Sequence, residues 1–302
     1  MTVMSVTMTQ RAISLIGVLI LLVLSQVVLP QVALAAPDTV FFPSADGATE
    51  LVAYLFRPTT PGSHPAVVML HGRAGPYSAN VNATCTLVSR SNASVCNASS
   101  LSKRHAMWGQ YWADRGYVAL LPDSFGSRGK AHGFGRFTHE DADRADVNEV
   151  TVRPRDAEGA LKWLRSQTDI VGERIFLQGW SNGGSTTLNV MQRQGAGVAG
   201  FRAALAFYPG CGPKALLAQT LTTTAPITMF LGSDDEEVSP ERCKDVAERS
   251  VAAGSKIDVV LYPGATHDFD DPGPRRQSVA ANSAAQADAL TRAIAFVEAV
   301  KD

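Results

Sequence analysis

Beyond residue 48, the hydrophobic positions follow two alternating rhythms. Short apolar runs recur at 49–56, 66–70, 118–121, 174–178, 203–208, 227–231 and 257–261. Runs this short and this continuously apolar suit strands of a parallel sheet buried on both faces. Between them lie stretches with helical spacing. Ala157, Ala160, Leu161 and Leu164 fall at i, i+3, i+4 and i+7 after Pro154, which suits a helix's first turn. Leu188 and Met191 share a helical face within 185–194, and further helices are predicted at 106–114, 240–253 and 284–300. Strand and helix in alternation specify a mostly parallel central sheet with helices on both faces, an α/β fold. The segment 49–56 reads as an early edge strand. In such sheets, ligands bind at the loops leaving the carboxyl ends of the strands.

The first 35 residues fall outside this pattern. Arg11 is the only charge before an apolar run over 12–29, and Ala33-Leu34-Ala35 follows. A basic residue, a long hydrophobic run and an Ala-x-Ala end are the parts of a secretory signal. The run approaches the ~20 residues needed to span a bilayer, but the Ala-x-Ala site favours cleavage over retention as an anchor. No cysteine sits at the cleavage point to carry a lipid. The expectation is a signal peptide over 1–35 and an exported protein, periplasmic or extracellular, with no membrane attachment once cleaved. Residues 36–302 are long enough for one sizeable core, and no linker, repeat or low-complexity tract divides them.

Charge adds an exclusion. The chain has 27 basic and 28 acidic residues and no basic stripe, which disfavours nucleic acid and anionic membrane as partners. Four cysteines in an exported chain point to two disulfides. Cys85 and Cys96 share a loop rich in Ser, Asn and Ala. Cys211 follows one core strand and Cys243 opens the helix after the next, so the expected pairs are Cys85–Cys96 and Cys211–Cys243. No Cys-x-x-Cys or spaced histidines accompany them, so neither metal nor cofactor is expected. The same loop carries three glycosylation sequons, at Asn82, Asn92 and Asn97, which matter only in a host that glycosylates.

The candidate chemistry sits at strand ends. Gly179-Trp180-Ser181-Asn182-Gly183 lies between the strand at 174–178 and the helix at 185–194. In that setting Gly-x-Ser-x-Gly is a nucleophile elbow: glycines relieve crowding where the backbone reverses, and the serine oxygen is pushed out. The backbone N–H of Asn182, at a helix start, would face any oxyanion formed beside Ser181. After the strand at 66–70 comes His71-Gly72-Arg73, whose turn could supply a second N–H from Arg73 or its neighbour. The Arg73 side chain either faces solvent or favours an acidic substrate. After 227–231 comes Gly232-Ser233-Asp234-Asp235-Glu236-Glu237, a source for the acid that orients an imidazole. Adjacent side chains in an extended segment point to opposite sides, so only one aspartate can serve. After Tyr262 comes Pro263-Gly264-Ala265-Thr266-His267. The order Ser, Asp, His on three strand-end loops is that of hydrolases built on such sheets.

The chain resembles the dienelactone hydrolase family of the α/β-hydrolase fold over nearly all of 36–302. The likeness rests on His71-Gly72, Pro122-Asp123-Ser124-Phe125-Gly126-Ser127-Arg128-Gly129, Arg155-Asp156-Ala157, the elbow, Tyr208-Pro209-Gly210-Cys211, Gly232-x-x-Asp235 and Tyr262-Pro263-Gly264-x-x-His267-Asp268-Phe269. The Gly-x-x-Asp spacing of the resemblance selects Asp235 over Asp234. The enzymes that gave the family its name carry cysteine in the elbow, whereas this chain has Ser181. A serine needs full general-base activation. That departure weakens any inference of a lactone substrate and leaves ester hydrolysis intact. The expected function is a serine hydrolase of small or polymeric carboxylic esters using Ser181, Asp235 and His267. A peptidase or acyltransferase with the same parts, or a non-catalytic binder, is the alternative. Acyl preference, oligomeric state and the role of the Cys85–Cys96 loop stay open.

Overall fold

In the computed structural model, Met1, residues 36–194 and residues 200–300 are described, and the expected leader over 1–35 lies outside the described residues, Met1 apart. The chain divides at Ala35/Ala36, and all that follows concerns the second unit. Its strands are β1 (Asp38–Pro43), β2 (Glu50–Phe56), β3 (His64–Leu70), β4 (Val118–Asp123), β5 (Ile170–Trp180), β6 (Ala204–Phe207), β7 (Ile227–Gly232) and β8 (Ile257–Tyr262). They form one eight-stranded sheet in the order β1-β2-β4-β3-β5-β6-β7-β8. β2 pairs antiparallel with both β1 and β4, and the pairs from β4 through β8 are parallel.

One expectation is corrected here. The segment read as an early edge strand is β2, and β1 lies outside it. β1 has only six residues, of which one is fully buried, so its hydrophobic signal is weak. It becomes a strand through full-length register with β2, from Asp38 opposite Leu55 to Pro43 opposite Glu50.

The helices divide between the faces as the alternation requires. α1 (Lys103–Ala113) places Trp108 and Trp112 on one face, against Val67, Met69 and Phe176. α2 (Arg153–Arg165) and α3 (Asn182–Gln194) cover the other, against Ala66, Val68, Leu70 and Leu177. Successive β3 residues thus enter opposite cores, which is why its sequence is apolar without interruption. α4 (Pro240–Ala252) joins the α2–α3 face. A short helix, α5 (Pro274–Gln277), precedes α6 (Ala280–Ala299), whose Ala285, Ala289, Ala293 and Val297 close the α1 face. Among the described residues, no helix is long and apolar enough to cross a membrane.

Strand order reverses around β3, with β4 on one side and β5 on the other. A crevice opens where such a reversal occurs, outside the carboxyl ends of the flanking strands. Here those ends are Leu70 and Trp180, followed directly by His71-Gly72-Arg73 and Ser181-Asn182.

Candidate active site

Ser181 sits at the tip of the turn between β5 and α3. Its φ is +53°, in the left-handed region that a serine adopts only when its surroundings hold it there. The two elbow glycines explain how the turn closes. A Cβ at Gly179 would lie 2.2 Å from the carbonyl oxygen of Gly183, and a Cβ at Gly183 would lie 2.0 Å from that of Leu70. Neither position admits any other residue without moving backbone. The N–H of Ser181 donates to the Phe207 carbonyl at 2.9 Å, fixing the turn to β6.

His267 follows β8 and is buried. Its Nε2 lies 3.0 Å from Ser181 Oγ and its Nδ1 2.7 Å from Asp235 Oδ2. The second oxygen of Asp235 accepts the N–H groups of Glu237 and Val238 at 2.8 and 2.9 Å. That carboxylate therefore has one free direction, toward the imidazole. Asp234 turns outward: it is exposed, and its Oδ1 accepts the Ser233 hydroxyl at 2.7 Å. Burial alone would depress the His267 pKa. The hydrogen bond to Asp235 and the charges of Asp268, Asp235 and Glu237 outweigh it and raise the pKa above the ordinary value.

The segment facing Ser181 across the crevice is held by two buried groups. His71 Nε2 accepts the Ser124 N–H at 3.2 Å, which assigns the proton to Nδ1, bonded to the Gly72 carbonyl at 2.8 Å. Burial and the nearby Arg153 cation keep this imidazole neutral, with a pKa well below the ordinary value. Arg153, at the start of α2 and fully buried, donates to the His71 carbonyl at 2.7 Å and also to Asn182 Oδ1. One guanidinium thus braces both segments, Arg73 and Asn182, from which oxyanion donors were expected. As the first residue of α3, Asn182 has an N–H with no carbonyl one helical turn back.

The Arg73 side chain does not simply face solvent. It is partly buried, and it lines the cleft beside Ser181 with Arg136, Phe137, Arg144 and Glu237. Its guanidinium is engaged by Glu237 at 2.8 Å and by the Phe134 carbonyl at 3.0 Å. Glu237, in turn, also holds Arg136 at 2.7 Å. The cleft is narrow, with a cavity volume of about 60 Å³ between these side chains and Ser181. Sequence reasoning left Arg136, Arg144 and Arg153 unassigned and placed Glu237 only within the loop that supplies the acid. An arginine inside a polar stretch carries no signal that it will be buried.

Cys85 pairs with Cys96 and Cys211 with Cys243, as the cysteine placement predicts. Cys85, Cys96 and Val88 pack into the core on the α1 face with Tyr77 and Leu101. Val88 also donates to the Gly126 carbonyl at 3.0 Å. The loop is thereby sewn to the segment after β4.

The sequence profile of the dienelactone hydrolase family matches residues 100–301. The chain belongs to that family. The fold is shared with solved structures of low sequence identity. A dienelactone hydrolase-like promiscuous phosphotriesterase from metagenomic libraries is 20% identical, with a TM-score of 0.62 over 89% of this chain and 100% of that one. Esterase 2 of the planctomycete Thermogutta terrifontis, solved with bound propionate, is 18% identical, with a TM-score of 0.58 over 89% and 96%. The same esterase phosphorylated by paraoxon gives a TM-score of 0.56 at 18% identity over 85% and 95%. The protein is accordingly a hydrolase of this family, with Ser181 at the elbow.

Proposed function

We propose that this chain is an exported serine hydrolase of carboxylic esters that works through an acyl-enzyme on Ser181. The observation that carries the reading is the unbroken line from Ser181 Oγ through His267 to Asp235, with contacts of 3.0 and 2.7 Å. His267 takes the hydroxyl proton as Ser181 attacks the ester carbonyl, and Asp235 stabilises the imidazolium so formed. The N–H of Asn182 and that of Arg73 or its neighbour hold the oxyanion. The alcohol leaves with the proton from His267. Water then attacks the acyl group with His267 as base, and the acid is released. The bidentate pairing of Arg73 with Glu237 favours a wall-building role for this side chain over a free cation reserved for an acidic substrate.

Export rests on the leader-like residues 1–35, and two disulfides are in keeping with an oxidising compartment. The substrate class is a carboxylic ester small enough at its reacting end for the cleft. Family membership and the propionate-bound and paraoxon-phosphorylated states of the Thermogutta esterase support this class.

The test is covalent. Paraoxon or a fluorophosphonate should add one phosphoryl or phosphonyl group, mapped by mass spectrometry to the peptide containing Ser181. Ser181→Ala should take up none, and its kcat on a short-chain aryl ester should fall by about 10⁶. Labelling at another residue, or an alanine variant keeping a tenth of the activity, would sink the proposal.

A further inference from the structure

Beneath the site lies a buried acid that the reaction does not use. Asp270 stands three residues beyond His267 and is fully buried. Its Oδ2 accepts the indole N–H of Trp180 and that of Trp108, each at 2.7 Å, and its Oδ1 accepts the Tyr208 hydroxyl. Each donor belongs to a different part of the molecule. Trp180 directly precedes Ser181 in the elbow. Tyr208 directly follows β6, and its ring centroid is 4.6 Å from that of His267. Trp108 lies on α1, under the sheet.

We infer that Asp270 is a positioning residue: through Trp180 and Tyr208 it ties the elbow carrying Ser181 to the loop carrying His267. This rests on the serine-hydrolase reading and goes beyond it. Residues 180 and 270 are 90 positions apart, so nothing local keeps these loops in register. Indole N–H groups only donate, so two of them converging on one point require an acceptor with spare lone pairs, which a carboxylate has. A buried carboxylate is costly unless a cation faces it. Arg104 on α1 does so from 3.8 Å, and the same guanidinium donates to Tyr208 Oη at 2.8 Å and grips Asp268. Backbone strain follows the same network. Tyr208 and Asp268 are left-handed non-glycine residues, with φ of +35° and +57°, flanking His267 on two sides. Such conformations persist where the surroundings over-determine them.

The experiment compares variants on a short-chain aryl ester, with kcat, KM and melting temperature measured for each. Asp270→Ala should lower kcat by about 30-fold or more with KM within about threefold, since a displacement under 1 Å at the reacting atoms is enough. Asp270→Asn should recover to within about fivefold, because its carbonyl oxygen can accept both indoles while its amide donates to Tyr208. Trp180→Phe should cut kcat by about tenfold, whereas Trp108→Phe, which breaks the equivalent bond to α1, should lower the melting temperature and leave kcat within about twofold. A merely structural Asp270 predicts the opposite: all variants melt earlier and all keep kcat. That result, or an asparagine variant no better than alanine, overturns the inference. If Asp270→Ala does not fold, Tyr208→Phe decides, since it removes one oxygen; kcat reduced about threefold or more at unchanged KM supports the tether and wild-type kcat overturns it. Ser181→Ala is run alongside. If it stays active, the hydrolase reading itself has failed; if it is dead and Asp270→Ala is not, only the tether has.

Discussion

Glu237 makes three contacts with the Arg73 guanidinium, at 2.8, 3.0 and 3.1 Å, while its Oε2 stands 3.8 Å from His267 Nε2. The two residues are 164 positions apart and meet only because β3 and β7 end on the same edge of the sheet. Their pairing places a largely buried anion beside the proposed base, on the side where Ser181 also lies.

That arrangement sets a pH dependence. The active form of His267 is the neutral imidazole, and its raised pKa delays its appearance as pH increases. The acid limb of kcat/KM should therefore have its midpoint above the ordinary histidine value of about 6.5. Glu237→Gln removes one of the anions that hold the proton on, so it should move the midpoint down. Stability runs the other way: a raised histidine contributes fully below its unfolded pKa and loses that contribution as pH rises through the folded one. Loss of activity on the acid side should thus come without unfolding by this group. A midpoint at or below the ordinary value, or one that Glu237→Gln leaves in place, contradicts this account.

Asp235 and Asp234 should separate by orders of magnitude. Asp235→Asn keeps the side-chain shape but removes the charge facing the imidazole, and kcat should fall by about 10³ to 10⁴. Asp234→Asn alters an exposed turn contact worth about 1 kcal/mol or less, so kcat should change by less than about tenfold. Steady-state kinetics on two folded variants decides it. Reversed results would move the acid by one residue, and two active variants would remove it from this pair.

The Cys211–Cys243 bridge spans 32 residues of chain, from the loop after β6 into α4. Closing a loop of that length should contribute roughly 3–4 kcal/mol on the chain-entropy model. The loop it fixes is held from the other side by Ser185, which exchanges two hydrogen bonds of 2.9 Å with Gly210 beside the cleft. Reduction, or Cys211→Ala with Cys243→Ala, should lower both the melting temperature and the activity. A lower melting temperature with unchanged kcat would mean that α3 alone positions this wall.

Gly183→Ala tests the close approach of the elbow to β3. The added methyl would sit 2.0 Å from the Leu70 carbonyl oxygen, so backbone must move. An overpacking cost of about 1–3 kcal/mol is expected, together with loss of Ser181 labelling by a fluorophosphonate, because the same shift displaces the serine. Gly129→Ala is the comparison: no atom lies within 4 Å of its would-be Cβ, though its positive φ still carries strain. Equal labelling of the two variants would show that contact with Leu70 is not what sets the elbow.

The sequence by itself determined the periodicities and the loop ends. Apolar runs put β3 to β7 into a sheet covered on both faces, with β8 at its half-exposed edge, and alternation with helices made that sheet mostly parallel. Those two facts put Ser181, Asp235 and His267 after the carboxyl ends of β5, β7 and β8. A strand's end and a loop's residue types are local properties, so they can be read one segment at a time. β1 escaped because its six residues become a strand only through pairing with β2. Only the tertiary structure decided which polar residues would be buried and with whom. Arg153, Glu237 and Asp270 resemble solvated surface charges in the sequence, since no neighbour along the chain marks them. Their partners, His71 and Asn182, Arg73, and Trp180 with Tyr208, come from distant segments. Burying a charge is unfavourable unless its partner is supplied in the right place, and that place exists only once the sheet has brought the loop ends together.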